Sequence, residues 1–96
     1  MKYFHRTSLS PDEVLAEADG FLGGRLDAET TATRTRSFTS VLGSVKLSVR
    51  AEGGHYTLIT ADTDQPGESE LDKLVKRYMG RVHARVDGSH ELRGAY

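Results

Sequence analysis

The stretch from Val45 to Thr60 constrains this chain more than any other. Val45, Leu47, Val49 and Ala51 alternate with Ser44, Lys46, Ser48 and Arg50, the pattern of a strand with one dry and one wet face. Gly53-Gly54 follows where a tight hairpin needs residues free to take positive φ. His55 to Ala61 then returns as a second strand, with Tyr56, Leu58 and Thr60 assigned to one side. A hairpin of this kind must bury its apolar face against another layer.

Two helices are available for that layer. Ser10-Pro11-Asp12-Glu13 is a start signal: Ser10 caps, Pro11 suits the first helical position, and Glu13 can close a capping box. Val14, Leu15, Ala18, Phe21 and Leu22 recur at helical spacing until Gly23-Gly24, where a left-handed glycine is expected to end the helix. Ser69 and Asp72 can cap the second helix, in which Leu71, Leu74, Val75, Tyr78, Met79, Val82 and Val86 form one apolar arc.

The threonine-rich stretch Leu26 to Ser37 reads as one strand, Phe38 to Gly43 as its connection, and Met1 to Ser8 as a short strand. Residues 88–96 carry no period and are expected to fray. The expectation is an α+β protein of two layers, an antiparallel sheet of three to four strands with two helices on one face. Its order is (β)-α-β-β-β-α. At 96 residues this is a single domain, 1–96, with a core centred on Leu47, Leu58, Leu74 and Tyr78.

Charge is sorted along the chain. Thr30 to Ala51 holds four basic residues (Arg34, Arg36, Lys46, Arg50) and no acid, and Lys73 to Val86 holds five more (Lys73, Lys76, Arg77, Arg81, Arg85). Twelve of the fourteen acids lie in Asp12–Glu29 and Glu52–Asp72, so the net charge of −1 hides four blocks of opposite sign. If the strands align, Arg34, Arg36, Lys46 and Arg50 can gather on the open side of the sheet as an anion site. A solvated sheet face accounts for the same residues. A sequence pI of 6.4 and the acidic start of the second helix argue against generic nucleic-acid binding.

No catalytic set has a specific spacing. His5, His55, His83 and His90 form no ligand pair, and no nucleophile elbow or phosphate loop is present. Asp62-x-Asp64 lacks the glycine a calcium loop requires, so no metal, cofactor or catalytic residue is expected. A chain without cysteine suits a reducing, cytoplasmic setting, and no apolar run approaches the roughly 20 residues of a membrane span. The reading is a non-enzymatic binding or assembly module that associates with itself through the open sheet face, with Ile59, Phe38 and Tyr3 as contacts. The alternative is a small-ligand pocket between sheet and C-terminal helix, near Arg36, Tyr56, Tyr78 and Met79, with catalysis as an option.

Overall fold

The computed structural model describes residues 1–91. Its elements are β1 (Lys2–Thr7), α1 (Pro11–Phe21), β2 (Asp27–Thr31), β3 (Thr35–Ser40), β4 (Gly43–Glu52), β5 (Tyr56–Thr63) and α2 (Glu70–Glu91). The strands form one antiparallel sheet in the order β1-β5-β4-β3-β2, and both helices pack on one face. The α+β architecture is as expected, with five strands rather than three to four.

The extra strand comes from the threonine-rich segment. It breaks into two strands around residues 32–34, so Phe38 is not part of a connection. It lies in β3 opposite Val45, and is 1% exposed. Threonine alternation marks strand propensity but carries no apolar face, so nothing in it reveals where the chain doubles back.

Local signals at the helix starts hold. Ser10 Oγ accepts from the Glu13 amide at 3.2 Å while Glu13 Oε1 accepts from the Ser10 amide at 3.1 Å, closing the capping box. The Ser10 amide, and after it the Ser10 side chain, holds the Glu13 carboxyl below the usual range. Ser69 caps α2, its hydroxyl accepting from the Asp72 amide at 3.1 Å. The end of α1 differs from expectation: neither Gly23 nor Gly24 takes positive φ. Glycine is needed at 23 for room instead, because a Cβ there would collide with the Asp19 carbonyl. Helix α2 is described through Glu91, and residues 92–96 of the segment expected to fray lie outside the described residues.

Gly53 and Gly54, at φ 59° and 75°, make the β4–β5 turn, which the His55 amide closes on the Glu52 carbonyl at 3.3 Å. The face of β5 is reversed from expectation. Thr57, Ile59, Ala61 and Thr63 point at the helices, and Leu58 points away. The reason is register: Ile59 pairs with Val49 and Ala61 with Leu47, so the apolar faces of β4 and β5 coincide. Ile59 and Phe38 are therefore core residues and not contacts on the open face, while Tyr3 packs against the core edge. Leu47, Ile59, Leu71, Val75 and Tyr78 are all fully enclosed.

Candidate functional site: the open face of the sheet

Both helices cover the face carrying Val45, Leu47, Val49, Ile59 and Ala61, so the alternate residues of each strand form a face without a helix. Register arranges that face in rows. Lys2, Asp62 and Lys46 stand side by side across β1, β5 and β4. The next row is Phe4, Thr60 and Ser48, continued by Thr35 on β3. The third is Arg6, Leu58 and Arg50, with Tyr56 and Glu52 paired beyond it. Phe4 is 63% exposed and Tyr56 56%, while Leu58 is half-buried. Phe4, Ser48, Arg50, Leu58 and Thr60 line a shallow trough of about 470 Å³.

Glu52 organises the third row. Arg6 reaches across β5 to donate from Nε to Glu52 Oε1 at 2.8 Å, and Arg50 donates from Nη2 to Oε2 at 3.2 Å. The Arg6 bond, then the Arg50 bond, holds the Glu52 carboxyl below the usual range. At the other end, Lys2 Nζ lies 4.0 Å from Asp62 Oδ2.

The four cations expected to cluster are not brought together. Lys46 and Arg50 are on the open face, but Arg36 is on the helix face opposite Leu47. Its Nε donates to Asp19 Oδ1 at 2.9 Å, and Nη1 donates to the Ala32 and Thr35 carbonyls. Arg34 sits between β2 and β3 and reaches Asp12 at 3.4 Å. Pairing with Leu47 turns Arg36 toward the helices, and Arg34 reaches the same helix, α1. Sequence alternation across that stretch cannot show this.

The four residues of the alternative pocket are also dispersed. Tyr78 is fully buried and donates to the Val14 carbonyl at 2.9 Å. Met79 packs at the core edge, Tyr56 is at the end of the sheet, and Arg36 faces α1. Phe4 and Arg6, by contrast, belong to no motif or charge block of the sequence. The signal available was the alternation of Lys2, Phe4 and Arg6 with Tyr3, His5 and Thr7.

The second basic block lies along α2, and most of its cations meet carboxylates. Arg81 meets Glu17 at 2.8 Å, Arg85 meets Glu13 at 3.4 Å, and Lys76 meets Glu68 at 3.3 Å. Among the described residues no group of three or more His, Asp or Glu side chains could hold a metal ion. His5 and His83 come together edge to face, with ring centroids 6.1 Å apart. No helix among the described residues is long and apolar enough to cross a membrane. The chain matches no known protein family, no curated protein and no solved structure.

Proposed function

We propose that this protein is a cytoplasmic, non-enzymatic binding or assembly module that engages its partner through the helix-free face of the sheet. One observation carries the reading: Phe4, a large aromatic side chain, is 63% exposed in the middle row of a face that no element among the described residues covers. Leu58 extends the apolar surface beside it, and charged residues rim it on both ends. An apolar centre with a charged rim is the usual anatomy of a protein interface. The absence of cysteine suits a reducing compartment.

Site-specific photo-crosslinking tests this directly. A photoreactive phenylalanine analogue at position 4 should give a discrete adduct in the producing cell, whereas the same analogue at Lys73, exposed on α2, should not. An adduct at twice the 10.6 kDa chain mass would identify self-association, and any other mass a different partner. Equal labelling at both positions, or none at position 4, would overturn the reading.

A further inference from the structure

The open face carries charge of both signs, and strand register sorts it along the strands. At one end Asp64 joins the row of Ser44, Thr39 and Asp27. Its amide donates to the Ser44 carbonyl at 3.1 Å, and its Oδ1 accepts from the Ser44 amide at 2.9 Å. That row holds two acids and no cation. In the next row Lys2, Asp62 and Lys46 stand side by side, with Glu29 lining one cleft with Asp62 and Lys46, so the signs balance. Phe4, Thr60, Ser48 and Thr35 follow without charge. Beyond them Arg6 and Arg50, 64% and 73% exposed, flank Leu58. Each guanidinium carries five N–H donors and gives Glu52 one bond, which leaves both with donors to spare. The face therefore has an acidic end and a basic end. Past the acidic end, the turn joining β3 to β4 exposes Val41 fully and Leu42 in part.

Resting on the reading of this face as the binding surface, we propose that its occupant is a second copy of this chain, laid face to face with the strands reversed. The two-fold axis runs across the strands, between the Phe4 row and the Lys2 row. Successive rows then meet in order. The row of Arg6, Leu58 and Arg50 lies on the acidic row of the second copy, whose Asp64 falls between the two guanidinium groups. Phe4 lies over Lys2 of the second copy, Thr60 over its Asp62 and Ser48 over its Lys46, giving one cation–π and two hydrogen-bonding contacts. The Val41–Leu42 turn reaches the Tyr56 and Glu52 pair. Symmetry repeats every contact.

Charge selects both the occupant and its orientation. A uniformly acidic partner would meet Asp64 and Asp27 at one end, and a uniformly basic one would meet Arg6 and Arg50 at the other. A two-fold axis along the strands would lay each row on itself, Arg50 on Arg50 and Lys46 on Lys46. Reversing the strands sets the acidic end of each copy on the basic end of the other. A face with two opposite ends is complementary to itself turned over.

Sedimentation equilibrium of the full chain at tens of micromolar tests this and should give twice the 10.6 kDa chain mass. Arg50→Glu and Asp64→Lys, each alone, should weaken association on the order of tenfold or more. An equimolar mixture of the two should restore it, because in the mixed dimer each position 50 meets the opposite charge at position 64. Asp64 also holds the Ser44 amide, so thermal unfolding checks that variant. Val41→Glu is the independent arm: a fully exposed turn residue contributes little to the fold, but a carboxylate there faces Glu52 of the second copy and should weaken association. A monomeric wild type overturns the proposal, as does a dimer that withstands both Arg50→Glu and Val41→Glu. A mixture that stays monomeric while Asp64→Lys melts like wild type overturns it too. A monomer in sedimentation with a crosslink at position 4 to another protein would remove only the second copy and leave the open-face reading standing. Absence of any adduct at position 4 would remove the open-face reading itself.

Discussion

The Tyr78 hydroxyl, at the centre of α2, donates to the Val14 carbonyl in the first turns of α1 at 2.9 Å, joining residues 64 apart inside the core. It is a buried polar link between the two helices. Tyr78→Phe removes it with little change of shape and should cost about 1–2 kcal/mol in urea denaturation. Burial, and after it the charges of Glu17 and Asp19, raise the phenol pKa well above its ordinary value. The folded pKa is the raised one, so this contribution is intact below about pH 10 and is lost as pH rises beyond it. Tyr78→Phe should flatten that alkaline loss. An unchanged alkaline slope would mean the phenol is not the titrating group.

Leu47 and Leu58 are separated by one strand position in facing and by the whole thickness of the sheet in environment. Leu47 is fully buried under the helices, and Leu58 is half-buried on the open face. Leu47→Ala should cost about 2–5 kcal/mol by leaving a cavity. Leu58→Ala should cost about 1 kcal/mol or less, because solvent already reaches that side chain. Equal costs in paired denaturation curves would mean that β5 faces the other way.

His5 lies on β1 under α2, edge-on to His83, with Arg6 and Tyr56 lining the same small cavity. Burial, then the neighbouring His83, lowers the His5 pKa below the ordinary histidine value. The depressed value belongs to the folded state, so the unfolded chain takes up the proton first. Stability should be full above about pH 6.5 and fall as pH drops toward the folded pKa. The carboxyls of Glu13, Glu52 and Asp64, also lowered, act below about pH 4.5 and leave this window clear. Melting temperatures at about pH 7.5 and pH 5 should therefore differ less in His5→Gln than in wild type. An equal drop in both would exclude His5.

Much of the fold is legible in the residues themselves. The capping box at Ser10 and Glu13, the Gly53-Gly54 turn, the alternation of β4 and the apolar arc of α2 each report a local rule, and local rules need no distant partner. The candidate site was less legible. Phe4 and Arg6 sit in a short strand whose only strong neighbour, β5, is more than fifty residues away. The facing of β5 also escaped, because Tyr56, Leu58 and Thr60 and the alternate set Thr57, Ile59 and Ala61 are about equally apolar. Only pairing with Val49 and Leu47 decides between them.

The charge pattern shows the same division. Sequence alone establishes four blocks of alternating sign, two helices with apolar stripes, and a hairpin with a dry face. It does not determine which blocks meet. In the folded protein the acids of α1 are divided between two neighbours: Asp12 and Asp19 take Arg34 and Arg36 from the β2–β3 hairpin, and Glu13 and Glu17 take Arg85 and Arg81 from α2. Four of the nine basic residues that suggested a partner are thereby paired with α1. The cations left on the open face are Lys46 and Arg50 from the first block, joined by Lys2 and Arg6 from an edge strand that no charge block includes. Composition along a chain fixes how much charge there is, but the pairing of strands, set by burying one apolar face, decides which charges look outward.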